Sequence, residues 1–244
     1  MKSGLLLFHQ GWTDLFNCLG MVSYNARLYE KLYVVYRADA EPLAEFYSKQ
    51  YSNVVNLYLP FEIVHMIPSL SSYIAIFDLP SDIECIGVGQ YCVFRTDELK
   101  DRLYLTEHFW LDFYRFFNMD PDCRLRNFEF RRDYALERVK YDKHVNHSWE
   151  KYRVYHDCEG ARIERQHDMP FLELGQLTDN LFFDCIKILE AAHEMILIDS
   201  VWAILAYLID CRYGVFRHVK IKVYAKRNYS AMFSNPRLPN WEIM

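Results

Sequence analysis

The chain has 244 residues, of which 52% are hydrophobic and 17% aromatic. This is enough apolar surface to bury a sizeable core, in one large domain or in two of about 120 residues each. The formal net charge of −5 gives no global electrostatic reason to bind nucleic acid, and no recognised nucleic-acid motif is present. We therefore expect no nucleic-acid partner.

The seven cysteines are scattered along the chain and form no CxxC pair. An odd, unclustered set is typical of reduced thiols, which predicts a cytoplasmic protein. The cysteines and histidines also lack the spacings of a zinc site, so we predict no metal. The longest apolar segment, residues 200–209, has half the length of a membrane span, and we expect no transmembrane segment.

The first half of the chain alternates β-rich runs with helical patterns. The apolar run LLLF leads into the polar loop HQGWTD at 9–14, and a helix follows with Thr13 or Asp14 as its N-cap. The elements predicted after it are the strand KLYVVYR, a helix at 39–51, strands at 54–59, 73–77 and 83–89, and an aromatic helix at 105–120.

The second half repeats the alternation after a charged connection at 124–152, which is partly helical over 133–143. Its predicted elements are strands at 152–157 and 169–174, a helix at 178–192 capped by Thr178, a strand at 195–199, a helix at 200–213 and a strand at 219–227. This alternation predicts two α/β blocks with mostly parallel sheets, divided near residue 145.

Parallel sheets place the candidate sites in the loops where strands end and helices begin. Amide groups at a helix start are unpaired, and the helix dipole favours an anion there. In the first half, Asp14 and His9 are candidates for a base that removes a proton from an attacking hydroxyl. Alternatively, Asp14 only complements the helix dipole and His9 is a hydrogen-bonded structural residue.

Candidates for phosphate binding lie in the second half. Ser200 and Asp199 stand between the strand at 195–199 and the next helix, where Ser200 either supports an anion or only caps the helix. The loop at 156–165 contains Arg162 and Arg165, whose guanidinium groups can bind phosphate or belong to a solvated face. His156 and Asp157 share this loop, and Thr178 lies in a turn that could contact a nucleoside.

Two fingerprints of other enzyme classes are missing from the sequence. Neither block carries GxGxxG or GxxxxGK[ST], which argues against dinucleotide oxidoreduction and ATP hydrolysis.

The first half carries HQGWTD at its first loop, and the second half carries LIDSVW at a late strand-to-helix turn. With these motifs, the two Rossmann-like halves resemble compact GT-B glycosyltransferases. The similarity is to the heptosyltransferase-like group and to viral and microbial surface-glycan transferases of similar size. The resemblance implies an α/β fold of two Rossmann-like domains facing a cleft. The acceptor-side domain would span 1–145 and the nucleotide-sugar-binding domain 146–244. Gly11 and Asp14 match a glycine and aspartate of that group, although Trp12 and Thr13 separate them here.

The resemblance implies transfer of a sugar from a nucleotide-sugar, most simply UDP- or GDP-linked, to a hydroxyl of a glycan acceptor. Transfer would need no cofactor or metal and would invert the anomeric centre. The predicted catalytic residues are Asp14 and His9, and the predicted donor-binding residues are Gly11, His156, Asp157, Arg162, Thr178, Asp199 and Ser200. Alternatives are a polysaccharide pyruvyltransferase and a catalytically silent nucleotide-sugar-binding protein.

Overall fold

The chain divides into two compact units, Met1–Arg131 and Arg132–Met244. The computed structural model describes residues 2–8, 11–64, 66–87, 114, 119–158, 162–177, 179–224 and 238–244. Each unit contains a parallel β-sheet and helices, so the predicted α/β class is confirmed. The assignment of an acceptor side to 1–145 and of a donor side to 146–244 stays a prediction.

The first unit contains a four-stranded parallel sheet in the order β3-β2-β1-β4. Its strands are β1 (Ser3–Leu7), β2 (Lys31–Arg37), β3 (Val54–Leu59) and β4 (Glu84–Gly87). Leu5 of β1 is in register with Tyr33 of β2 and with Cys85 of β4. Because β2 and β3 lie on one side of β1 and β4 on the other, the topological switch point falls between β1 and β4.

Five helices accompany this sheet in the described part of the first unit: α1 (Trp12–Ala26), α2 (Glu41–Ser48), α3 (Phe61–Val64), α4 (Leu70–Phe77) and α5 (Cys123–Arg126). The apolar positions of α1 recur at helical spacing, and Leu15, Leu19 and Val22 are fully buried. A Cβ atom on Gly20 would lie 2.7 Å from the backbone oxygen of Arg124, so the glycine permits the close contact of α1 with α5.

The predicted strand at 73–77 is wrong, because these residues end helix α4. The side chain of Ser69 accepts a hydrogen bond from the amide of Ser72 at 3.2 Å and caps the helix. Leu70, Ile74 and Phe77 pack on the core at spacings of four and three residues, which is the period of a helix. The short apolar run suits either a strand or a helix, and the capping residue Ser69 favours the helix.

The second unit contains a five-stranded parallel sheet in the order β6-β5-β7-β8-β9. Its strands are β5 (Arg153–His156), β6 (Phe171–Glu173), β7 (Glu194–Ile198), β8 (Lys220–Tyr224) and β9 (Trp241–Ile243). The short strand β9 was not predicted. Since β6 lies on one side of β5 and β7 on the other, the switch point falls between the carboxyl ends of β5 and β7.

The α-helices in the described part of the second unit are α6 (Tyr134–His144), α7 (Ile186–Ala191) and α8 (Val201–Tyr213). Helix α6 confirms the helical part of the charged connection. Helix α8 is buried over Trp202–Asp210 and ends at Gly214, whose φ of 65° gives the left-handed C-terminal turn. Within the described ranges, no helix combines the length and apolar composition needed to cross a bilayer.

The helix predicted at 178–192 is wrong in its first half. Residues 183–185 form a 3₁₀ turn and α7 begins only at Ile186. Phe182 has φ 64° and ψ −44°, and this conformation cannot continue a right-handed helix. The proposed cap Thr178 lies outside the described residues, as does most of the aromatic helix predicted at 105–120.

Candidate functional site

The first predicted site lies where β1 leads into α1. Gly11 is the N-cap residue of α1 and offers no side-chain cap, while its carbonyl accepts the amide of Leu15 at 2.9 Å. A Cβ atom on residue 11 would lie only 2.8 Å from Oδ2 of Asp14, so the absent side chain leaves room for this carboxylate to fold back over the loop. His9, the second catalytic candidate, lies outside the described residues.

The environment of Asp14 changes its acidity. Burial raises the pKa of Asp14 from its usual value of 3.8 to about 7. One turn further along α1, burial and the nearby charge of Asp14 raise the pKa of the fully buried Cys18 thiol. A carboxyl group with a pKa near neutrality can both accept and release a proton, which is the property of an acid–base catalyst.

An aromatic–arginine cluster, formed by Trp12, Arg37, Asp39 and Phe61, occupies the same edge of the first sheet. The guanidinium carbon of Arg37 lies 5.0 Å from the ring centroid of Trp12 and 4.4 Å from that of Phe61. Arg37 also forms a bidentate ion pair with Asp39. Sequence reasoning missed this cluster, although an arginine ending β2 and aromatic residues after β1 and β3 were available as signals.

The second predicted site lies at the switch point between β5 and β7. Oγ of Ser200 and Nδ1 of His156 are 2.9 Å apart and share a hydrogen bond. Ser200 is the N-cap residue of α8, but its side chain makes no capping bond. The structure therefore brings together two predicted donor-binding residues, from the carboxyl end of β5 and from the start of α8. Asp199 is fully buried beside them, with its amide donating to the carbonyl of Tyr224 at 3.1 Å.

The loop after β5 uses one of its arginines for its own structure. Arg165 binds Glu173 in a bidentate ion pair, lies 2.9 Å from Oδ2 of Asp157 and donates to the carbonyl of Ile163. Burial alone would raise the pKa of Asp157, but the hydrogen bonds from Arg165 and the Ile163 amide outweigh it and hold this pKa below its usual range. Asp157 is thus occupied in stabilising the loop.

Arg162 is exposed, whereas Arg165 is partly buried. Arg162 also makes no ion pair with a described residue. Both arginines line an open pocket of about 480 Å³, together with Ile163, Glu164, Gln166 and Tyr224, but the guanidinium of Arg165 is held by Glu173 and Asp157. Tyr224 ends β8, so this pocket opens at the carboxyl edge of the sheet. Of the two arginines in the loop, Arg162 is therefore the one available to a ligand.

A γ-turn at residues 181–183 places an aromatic ring near the second site. The amide of Phe183 donates to the carbonyl of Leu181 at 2.8 Å, with Phe182 at positive φ between them. This is the rare, strained form of the γ-turn. The turn holds the ring of Phe182 5.0 Å from that of Trp202, and the Trp202 ring lies 6.4 Å from the imidazole of His156.

Metal ligands do not cluster in the described part of the chain: no group of three or more His, Cys, Asp or Glu side chains there could hold a metal ion.

Comparison with known proteins supports the fold. No protein-family model matches the chain, and a search of curated proteins found no match. Among solved structures, the ADP-heptose LPS heptosyltransferase II of E. coli is similar, with a TM-score of 0.53 and 12% identity over all of this chain and 90% of that one. This similarity confirms the predicted resemblance to the heptosyltransferase-like GT-B group at the level of the fold.

Proposed function

We propose that the protein is a glycosyltransferase that moves a sugar from a nucleotide-sugar to a hydroxyl of a glycan acceptor. The observation that carries this proposal is Asp14, a carboxyl group at the carboxyl edge of a parallel sheet whose pKa is about 7. The fold similarity to a heptosyltransferase supports the same general activity. A cytoplasmic location, in the host cell if the chain is viral, belongs to the proposal.

On the acceptor side, Asp14 would act as the general base. Its carboxylate takes the proton from the acceptor hydroxyl as that oxygen forms its bond to the anomeric carbon, and the bond from that carbon to the diphosphate oxygen breaks. Direct displacement of this kind inverts the anomeric centre. His9 remains the second candidate for the base.

On the donor side, the second unit would stabilise the negative charge that develops on the leaving nucleoside diphosphate. The unpaired amides at the start of α8 and the Ser200 hydroxyl can donate to phosphate oxygens, and the helix dipole favours the anion. His156 would orient the Ser200 hydroxyl through their 2.9 Å contact. Arg162 would add a cationic donor from the pocket, so the proposal requires no metal.

A thermal-shift panel of nucleoside diphosphates and nucleotide-sugars tests the donor half. A ligand at about 100 times its dissociation constant stabilises the fold by about 2.7 kcal/mol. We expect UDP or GDP to raise the unfolding temperature, and Ser200→Ala to reduce the shift. Stabilisation by phosphoenolpyruvate instead would indicate a pyruvyltransferase, and binding without transfer or donor hydrolysis would indicate a silent binding protein.

Substitution Asp14→Asn tests the catalytic half. The amide keeps the size of the side chain but cannot accept a proton, so turnover should fall by about 10² to 10⁴ while nucleotide affinity stays unchanged. In the parent protein, kcat/KM should rise with pH to a plateau, with a midpoint near the Asp14 pKa of about 7. Asp82→Asn, at an exposed acid of the same unit, is the control. Full turnover in Asp14→Asn would assign the base elsewhere.

A further inference from the structure

The aromatic–arginine cluster of the first unit is not used by the mechanism above. Trp12 begins α1, which follows β1; Arg37 ends β2; and Phe61 begins α3, which follows β3. Because the three strands are neighbours in a parallel sheet, their carboxyl ends bring these residues to one edge. This is also the edge at which Asp14 lies.

The cluster presents apolar ring surface beside fixed polar groups. Phe61 is 39% exposed, which is high for a phenylalanine, and Trp12 is partly exposed. The Arg37 side chain is only 15% exposed and is held by both rings and by the Asp39 carboxylate. Its donors and the Asp39 acceptors therefore have fixed directions, while an exposed arginine would sample many.

Carbohydrates match this combination of groups. A pyranose ring has an apolar face of C–H groups, which packs on an aromatic ring, and a rim of hydroxyls, which pair with guanidinium donors and carboxylate acceptors. We propose that Trp12, Arg37, Asp39 and Phe61 form a subsite for a neutral sugar of the acceptor glycan. The proposal rests on the proposed function and names the acceptor class.

The charges at this edge argue for a neutral sugar over a phosphorylated or carboxylated one. The Arg37 cation is already paired with Asp39. Two of the helices that start at this edge carry further acids in their first turns, namely Glu41 in α2 and Glu62 in α3. An anionic sugar would meet like charges, and uncompensated repulsion of this kind selects against it.

Binding to an array of neutral oligosaccharides, and of the same skeletons bearing uronic acid or phosphate groups, tests the subsite. We expect a neutral oligosaccharide to bind and its acidic counterpart to bind more weakly. Trp12→Ala and Phe61→Ala should each weaken neutral binding at least tenfold. Phe61 is exposed, so its variant should fold even if Trp12→Ala does not.

Tyr134→Ala is the matched control. Tyr134 is an aromatic residue of the second unit, 69% exposed, whose ring lies 4.8 Å from the Arg132 guanidinium carbon. It should leave glycan binding unchanged. The absence of neutral-glycan binding, unchanged binding in both Trp12→Ala and Phe61→Ala, or a preference for acidic glycans would overturn the subsite.

The subsite and the transferase fail in different ways. Nucleotide stabilisation without neutral-glycan binding contradicts the subsite and leaves the donor site intact. Glycan binding that depends on Phe61, without any nucleotide stabilisation, contradicts the transferase and leaves a glycan-binding surface.

Discussion

Asp14 in the first unit and Asp157 in the second both lie at the carboxyl edge of a parallel sheet, Asp14 in the first turn of α1 after β1 and Asp157 directly after β5. No cation pairs with Asp14 among the described residues, and burial raises its pKa to about 7. Asp157 is also partly buried, but Arg165 and the Ile163 amide bind it and its pKa lies below the usual range. The first acid can exchange a proton near neutral pH, and the second remains a fixed anion.

The comparison shows that partners, more than position, decide what a carboxylate does. In the first unit the loop offers Gly11 and a helix start, and no described residue forms an ion pair with Asp14. In the second unit Arg165 binds the carboxylates of its own loop and strand β6, while Ser200 is buried against His156 and Arg162 is exposed. In the proposed function the edges of the two sheets therefore have different roles, proton transfer in one unit and anion binding in the other.

The largest stability effect should come from Phe182, on which the second edge depends. Phe182→Ala removes the ring that packs on Trp202, and truncation of a buried phenylalanine costs about 3 to 5 kcal/mol. Phe182→Gly loses the same ring but relieves the strain at φ 64°, worth about 1 to 3 kcal/mol. Urea unfolding should thus find the glycine variant more stable than the alanine variant.

In regular secondary structure, a glycine variant is normally less stable than the alanine variant by about 0.5 to 1 kcal/mol, so the expected order of stability at residue 182 is the reverse of the usual one. An alanine variant that equals or exceeds the glycine variant would show that the turn stores no strain.

The second largest effect should come from ionisation of Asp14. Its folded-state pKa of about 7 lies above the unfolded value of 3.8, so its contribution to stability is complete below pH 3.8 and is lost as the pH rises through 7. Asp14→Asn cannot ionise and avoids this loss. The stability of the variant relative to the parent should increase between pH 4 and pH 8 by on the order of 2 to 4 kcal/mol.

Denaturant unfolding of both proteins across this pH range measures that difference. A difference that does not change with pH would mean that Asp14 titrates alike in the folded and unfolded states, and the contrast with Asp157 would disappear.

Gly20 tests whether α1, which carries Asp14, depends on its close contact with α5. A Cβ atom at residue 20 would lie 2.7 Å from the backbone oxygen and 2.8 Å from the Cα of Arg124. Since backbone cannot rotate away, Gly20→Ala should destabilise by about 1 to 3 kcal/mol, although alanine favours a helix. Gly175→Ala is the control, because no heavy atom lies within 4 Å of its Cβ position. Equal thermal stability of both variants would contradict the close contact.

The sequence predicted the parts of the fold that depend on local pattern. The apolar runs that became β1, β2, β3 and β7 were found, as was α6, because burial and periodicity are visible in the chain itself. The order of strands within each sheet is a property of distant contacts and was not predicted. The helix α4 was missed because five apolar residues in succession suit either a strand or a helix.

The candidate site was predicted by the type of its residues but not by their pairing. Ser200 and His156 were both named, yet their contact joins positions 44 apart and only the fold reveals it. Arg37 escaped notice because its role comes from two rings on other elements. Phe182 lay within an apolar pattern with the spacing of a helix. A phenylalanine gives no signal in the sequence that its backbone forms a strained turn.

The smallest expected effect concerns the two arginines of the loop after β5, and it separates ligand binding from loop structure. Arg162→Ala removes a donor that lines the pocket, so UDP or GDP should bind roughly tenfold more weakly while thermal stability stays unchanged. Arg165→Ala breaks the contacts with Glu173, Asp157 and the Ile163 carbonyl, so it should lower the unfolding temperature. Calorimetric titration and thermal unfolding of both variants measure the two quantities. If Arg162→Ala lowers stability and leaves nucleotide affinity intact, Arg162 belongs to the loop as Arg165 does, and the anion would have to be bound by the start of α8 alone.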